Sequence, residues 1–261
     1  MTSLRSIRSI AGRVTAVLAA VALLGACEKN AVQDITGTLP GSRIRFFNFG
    51  VGAPGVHFYA NDAKLTATTS ATGAESTTGV AYGGVGSSGF YSAINPGQYT
   101  FTARIVATVD KDLAVGTVSS ALEANKNYTM YLSGTYNTTA KTIEAFIVED
   151  AIPEAFDYTQ SLVRLVNASA NSQPMILYAR NQVTGTEVPI GGAVAYKTAG
   201  AFTPVPMAVY DLFLRTPGST TNLVTRTGVS FIAGRSHTIA VRGTMGTTGT
   251  SAPAMDYTNN R

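Results

Sequence analysis

Four blocks of this sequence occur twice, in the same order, and that repetition constrains the fold more than any other feature. Arg45-Phe46-Phe47-Asn48 matches Arg164-Leu165-Val166-Asn167, and eleven residues after each Asn comes a tyrosine, Tyr59 or Tyr178. Val80-Ala81-Tyr82 recurs as Val194-Ala195-Tyr196, residues 99–104 align with 210–215, and residues 124–134 align with 233–243. Repetition of several blocks in the same order is the mark of a duplicated structural unit. The chain therefore divides into a first unit at 42–150, a linker at 151–160 and a second unit at 161–243. Residues 244–261, rich in Thr, Gly and Pro, read as a flexible tail with a short strand near 255–257.

Each matched block reads as a strand. Tyr99, Phe101, Ala103 and Ile105 alternate with Thr100, Thr102 and Arg104, the two-residue period of a sheet with one buried and one wet face. Tyr128, Met130 and Leu132 alternate likewise with Thr129, Tyr131 and Ser133, and Tyr210, Leu212, Leu214, His237, Ile239 and Val241 take the inward positions of the second copy. Turn residues punctuate these runs at Asn95-Pro96-Gly97, Asp110-Lys111-Asp112, Thr216-Pro217-Gly218 and Ala233-Gly234-Arg235. Abundant Gly, Thr, Ser, Val and Tyr, low charge and no amphipathic helix complete the case for an all-β chain of two tandem β-sandwiches.

In order, the Arg-x-x-Asn strand, the Val-Ala-Tyr segment, the Pro96-Gly97-Gln98-Tyr99-Thr100 strand and the closing Ala124-Asn125-Lys126-Asn127-Tyr128-Thr129 strand resemble the domain of unknown function 4397. The resemblance covers most of residues 42–243, in two copies. The second departs from the pattern, with Met207-Ala208-Val209 where the first has Pro96-Gly97-Gln98. The resemblance implies an Ig-like or transthyretin-like β fold in an extracytoplasmic setting. It implies no catalytic residue.

The amino end carries an address. Arg5, Arg8 and Arg13 precede an apolar run of eleven residues, Val14 to Leu24, and the run ends at Leu24-Gly25-Ala26-Cys27. Eleven residues make roughly 16 Å of helix, about half a bilayer core, which disfavours a permanent span. The tetrapeptide resembles the lipobox of bacterial lipoproteins. That implies a signal peptide at 1–26, a lipidated Cys27 and a tether at 27–41, with Glu28 rather than Asp after the cysteine directing export to the outer membrane. Without the three leader arginines the chain holds 16 basic and 15 acidic residues, so its net charge falls from +4 to about +1 and nucleic acid is an unsuitable partner. Cys27 is the sole cysteine, which leaves the mature units without a disulfide.

Chemistry-bearing residues are sparse. His57 lies beside the Pro54-Gly55 turn as a strand-edge residue, and His237 stands where the first copy has Tyr128, a packed and hydrogen-bonded site. Neither has a nucleophile or carboxylate partner by spacing, and two histidines without a free cysteine do not make a zinc set. No catalytic residue, metal or cofactor is expected. Glu149, Asp150, Glu154 and Asp157 read either as a solvated acidic linker or as oxygen ligands for calcium. Aromatic side chains are the one binding signal: a strand places Phe47 and Phe49 on the face opposite Phe46, and these two with Tyr131 form the candidate binding surface. Packing of sheet on sheet explains the same run, since a strand buried on both faces is continuously apolar. The functional expectation is a lipid-anchored, non-enzymatic envelope protein that binds or spaces something, partnered by the membrane and by an envelope protein or glycan. The alternative is a carbohydrate or cell-wall binding module.

Overall fold

The structure is a computed structural model that describes residues 41–66 and 77–260. The signal peptide, Leu24, Gly25, Ala26 and Cys27, and all of the tether except Gly41 lie outside the described residues. Nine strands form the first half: β1 (Ser42–Asn48), β2 (Val56–Ala60), β3 (Ala63–Lys64), β4 (Gly84–Val85), β5 (Ser92–Ile94), β6 (Gly97–Ile105), β7 (Ala114–Leu122), β8 (Asn127–Asn137) and β9 (Thr142–Glu149). Nine more form the second: β10 (Gln160–Asn167), β11 (Met175–Asn181), β12 (Glu187–Val194), β13 (Thr198–Ala199), β14 (Thr203–Pro206), β15 (Ala208–Arg215), β16 (Val224–Phe231), β17 (Ser236–Arg242) and β18 (Ala254–Asn259). Among the described residues no helix is long and apolar enough to cross a membrane.

The two halves share one topology. In the first, a sheet ordered β4-β1-β8-β9, with β5 also on β1, faces a sheet ordered β3-β2-β6-β7. In the second, β13-β10-β17-β18, with β14 on β10, faces β12-β11-β15-β16. β1 and β8 run parallel, as do β10 and β17, while the other strand pairs are antiparallel. Register also repeats: Arg45 stands opposite Thr129, and Arg164 opposite Thr238.

Small polar devices recur with the strands. Asn48 Nδ2 donates to the Val80 carbonyl at 2.9 Å, and Asn167 Nδ2 to the Val194 carbonyl at 3.2 Å, so each Asn pins its own Val-Ala-Tyr segment. The Tyr99 and Tyr210 hydroxyls each donate at 2.9 Å to a carbonyl four residues upstream, on Asn95 and Pro206. Tyr128 accepts from the Glu123 amide on its hydroxyl, and His237 accepts from the Ile232 amide on Nε2. His237 thus does the work of Tyr128 and is fully buried.

Three apolar clusters divide the sheets into four layers. One fills the first half, around Phe46, Phe58, Phe101 and Met130. Another fills the second, around Leu165, Leu177, Leu212 and Ile239. The third joins the two inner sheets, with Phe47, Phe49, Tyr131, Phe146 and Val148 from the first half against Val166, Ala168 and Ala240 from the second. Residues 40–261 accordingly form one compact unit.

The structure corrects three expectations. Thr129, Tyr131 and Ser133 do not form a wet face, because the second inner sheet covers them completely. Phe47, Phe49 and Tyr131 are not an open binding surface; they are 5%, 1% and 0% exposed. His57 is likewise buried within β2. The tail, expected to be flexible apart from a short strand near 255–257, carries the longer β18, which pairs with β17 over six residues and forms the edge of its sheet.

Candidate functional site

The seam between the inner sheets carries a buried charge centre. Arg45 and Arg164 occupy the same place in the two Arg-x-x-Asn strands and are 0% and 2% exposed. Each guanidinium is held by its own half: Arg45 Nε donates to Thr129 Oγ1 at 2.9 Å and Arg164 Nε to Thr238 Oγ1 at 3.0 Å. Each also lies over a ring, Arg45 over Tyr91 and Arg164 over Phe202, both 4.6 Å from the centroid. Across the seam the contacts are again mirrored. Arg164 donates to the Glu149 carbonyl at 2.8 Å and Arg45 to the Asn259 carbonyl at 3.4 Å.

The next residue breaks that symmetry. Asp150 and Asn260 are equivalent: their amides donate to the Asn127 and Ser236 carbonyls, and their side chains accept from Thr129 and Thr238 at 2.6 and 2.9 Å. Asp150, 2% exposed, pairs with Arg164 through Oδ1, while its Oδ2 accepts from the Tyr91 hydroxyl at 2.5 Å and stands 3.6 Å from Arg45 Nη2. One carboxylate therefore serves two buried cations. Burial, with Asp150 next to it, pushes the Tyr91 hydroxyl far above the usual tyrosine range, so it stays a proton donor. Glu154 and Asp157 remain exposed, and the acidic linker is split between a buried pair and solvent. Among the described residues no three His, Cys, Asp or Glu side chains gather as a metal set.

Beyond the charge centre, stacked rings complete the seam. The Phe47 and Tyr131 rings lie 5.2 Å apart at 16°, and Tyr131 and Phe146 5.2 Å apart at 20°. Burial pushes the Tyr131 hydroxyl up to about 12. Opposite them stand small residues, because Val166, Ala168 and Ala240 are the counterparts of Phe47, Phe49 and Tyr131. The two Val-Ala-Tyr tyrosines close the far edges. Tyr196 shares a 2.8 Å hydrogen bond with Ser133 and donates to Glu144 at 3.1 Å, while the Arg242 guanidinium covers the Tyr82 ring at 4.9 Å.

A groove of about 510 Å³ opens along one side of the seam. Phe47, Phe49, Val85 and the 75% exposed Phe90 line it from the first half, and Asp256 and Tyr257 from β18. Arg242 Nε donates to Asp256 Oδ2 at 2.5 Å. Sequence reasoning missed Phe90, which lies in the irregular segment between β4 and β5, and Asp256 and Tyr257, which lie on β18, while Phe47 and Phe49 reach the groove only as nearly buried rings. The outer faces offer fewer bare rings: Arg215 covers Tyr178 at 4.6 Å and Arg104 covers Tyr59 at 4.4 Å.

Comparison with known proteins finds that the family model described as "Domain of unknown function (DUF4397)" matches residues 42–178, from β1 across the linker into β11. No curated protein sequence matches the chain. Among solved structures, the Bacillus anthracis TIE protein is 13% identical with a TM-score of 0.24, over 80% of this chain and 34% of that one. The present chain thus spans about a third of that protein's length. A candidate cell adhesion protein of Bacteroides fragilis is 9% identical with a TM-score of 0.24, over 84% of this chain and 98% of that one. A similar candidate from Bacteroides ovatus is 11% identical with a TM-score of 0.22, over 86% and 97%.

Proposed function

We propose, for a chain that belongs to the DUF4397 family, a non-enzymatic envelope protein held to the outer membrane by acyl chains on Cys27 and acting as a rigid surface module. In this reading the second half is a second copy of the family domain, supported by its repeated strand order, register and arginine, asparagine and tyrosine contacts. The observation that carries the module reading is the seam. Buried charge and stacked rings hold the two halves at one fixed angle, which suits a body that displays or spaces a surface rather than one that opens and closes around a substrate. Anchoring rests on Leu24-Gly25-Ala26-Cys27. Incorporation of an alkyne fatty acid into the wild-type chain and not into Cys27→Ser, with loss of the variant from the membrane fraction, is the expected result. Equal membrane retention of the unlabelled variant would refute the anchor.

The seam groove favours a second reading, a carbohydrate or cell-wall ligand. An exposed ring at Phe90 beside the Asp256 carboxylate is the pairing of stacking surface and polar group that sugar recognition uses. Titration with cell-wall glycan fragments tests it: a wild-type signal abolished by Phe90→Ser supports a groove ligand, and an unchanged signal removes the groove from consideration.

A further inference from the structure

Five of the ten large apolar side chains exposed among the described residues gather at one pole, while Phe90, Val109 and Leu113 lie in the first half. Val183, Met207, Val209, Ile232 and Tyr158 are 90%, 63%, 38%, 51% and 58% exposed, and all belong to one pole of the second half. Ala208 pairs with Phe231, which places Met207 and Ile232 side by side beyond the strand ends. The Gln182 amide donates to the Val209 carbonyl at 3.0 Å, bringing the β11–β12 turn with Val183 to the same place. A Cβ at Gly234 would stand 3.6 Å from the Tyr158 ring, so the linker borders the patch too. The first half serves as an internal control. Where the second copy has Met207, Val209 and Ile232, the first has Pro96, Gln98 and Glu123. The fold does not need apolar side chains there.

The same pole receives the amino-terminal segment. The Gly41 carbonyl accepts from the Asn125 amide, as the Gln160 carbonyl accepts from the Gly234 amide, so Gly41 and Gln160 mark equivalent ends. Those ends point the same way: Asp150 and Asn260, at the near ends of β9 and β18, are linked through Tyr91, while at the far ends Ser133 meets Tyr196. Cys27 lies only fourteen residues before Gly41, and a coil of that length has an r.m.s. reach of roughly 20 Å. A patch tethered so closely experiences a high local concentration of whatever holds the tether, so weak apolar contact suffices to orient the body. We infer that this pole rests on the phospholipid bilayer surface, with Met207 and Ile232 in the interfacial region. The inference builds on the Cys27 anchor proposed above. Charges around the pole are mixed, with Arg43 and Arg235 exposed beside Glu123 and Asp157, so the contact is apolar and should persist at high salt.

The test uses the full chain in phosphatidylethanolamine and phosphatidylglycerol vesicles, with an environment-sensitive fluorophore on Met207→Cys or, at the opposite pole, on Thr139→Cys in the β8–β9 turn. Native Cys27, once acylated, takes no label. A blue shift and quenching by spin-labelled lipid at position 207 but not 139, unchanged in 0.5 M salt (on the order of a 4 Å Debye length), is the expected outcome. Equal and negligible quenching at both positions overturns the inference. So does shielding at 207 without lipid quenching in a chain that sediments as a dimer, since a second copy would then cover the patch. Mass spectrometry of Cys27 reads the anchor separately. The same pair of probes in a Cys27→Ser chain, held on nickel-chelating lipid by an amino-terminal histidine tag, reports docking even if Cys27 carries no acyl group.

Discussion

Replacing Asp150 with Asn isolates the charge in the seam from its shape. Asn is the residue at the equivalent position 260, where it accepts from Thr238 as Asp150 accepts from Thr129. The backbone therefore tolerates the amide, and the side-chain volume is unchanged. What disappears is the carboxylate that faces Arg164 through one oxygen and Arg45, 3.6 Å away, through the other. Both guanidiniums stay buried at 2% exposure or less, with hydrogen bonds to threonines and carbonyls but no counter-charge in the seam. Removing one partner of a buried pair costs about 3–5 kcal/mol, because the remaining charge keeps its desolvation penalty. With a urea m-value of about 3 kcal/mol/M for a unit of this size, the midpoint should fall by roughly 1–1.7 M.

Adding Arg164→Met to Asp150→Asn should recover part of that loss, because the more closely paired of the two cations stranded by the first change is gone while Arg45 remains. A coupling of about 2 kcal/mol or more between the two changes is the signature, within the range seen for contacting residues. Urea unfolding followed by tyrosine fluorescence and by far-UV circular dichroism gives both numbers. The reasoning fails if Asp150→Asn lies within about 1 kcal/mol of the wild type, which is the range of an exposed pair, or if the double change costs the sum of the two singles.

Other substitutions probe the remaining devices. Phe49→Ala should cost about 3–5 kcal/mol in urea unfolding, as a ring removed from a closed cluster does, whereas a surface ring would cost almost nothing. Ala240→Phe sets a ring where the Phe47, Phe49 and Tyr131 cluster already fills the seam; overpacking of about 1–3 kcal/mol or more is expected, measurable as a lower Tm. Gly55→Ala would bring a Cβ within 2.0 Å of the Thr78 carbonyl, so the variant should show a lower Tm and faster amide exchange around the Val56–Val80 bridge. Burial, reinforced by Arg235, holds His237 down to about 4; its folded value lies below the unfolded 6.5, the unfolded chain binds the extra proton, and stability falls as pH drops from 6.5 towards 4. That loss reaches about 2.5 kcal/mol at pH 4.5, and His237→Tyr, which installs the residue of the first copy, should abolish this part of the slope in unfolding measured at pH 7 and 4.5.

Period-two alternation located the strands because one face of every sheet packs in its own half. Tyr99, Phe101 and Ala103, or Leu212 and Leu214, lie in the cores where alternation puts them. The other faces of the inner sheets were legible only in part. Phe46-Phe47 and Leu165-Val166 read as runs buried on both sides, but Thr129, Ser133 and Thr238 look like wet-face residues until another sheet is known to cover them. Local pattern carries no information about that covering, which depends on contacts between strands of different halves. Arg45 and Arg164 held a clue, an arginine at one place in two apolar strands. Asp150 held none, since an aspartate beside a Pro- and Glu-containing linker is ordinarily solvated. The parallel pairing of β1 with β8 is equally invisible to periodicity, because alternation is the same for either direction. β18 was legible only as a short strand near 255–257, because the polar composition of Ala254–Asn259 is that of an edge strand with one half-covered face.

The differences between the halves say more about the seam than the similarities do. Two identical halves in this arrangement would place ring against ring at Phe47, Phe49 and Tyr131, and acid near acid at positions 150 and 260. Neither arrangement packs: six large rings overfill the layer, and two carboxylates beside one another repel. Here the first half holds the rings and the acid, while the second supplies Val166, Ala168, Ala240 and Asn260. Each half is thereby specified against a second copy of itself and for its neighbour in the chain, by steric fit and by charge together. Such divergence is costly to undo one residue at a time, since every single reversal leaves a void, a clash or an uncompensated charge. The seam is for that reason part of the core of the fold, and the proposed ligand and membrane contacts fall where the two halves differ on the outside, at the Phe90 groove and the Met207 pole.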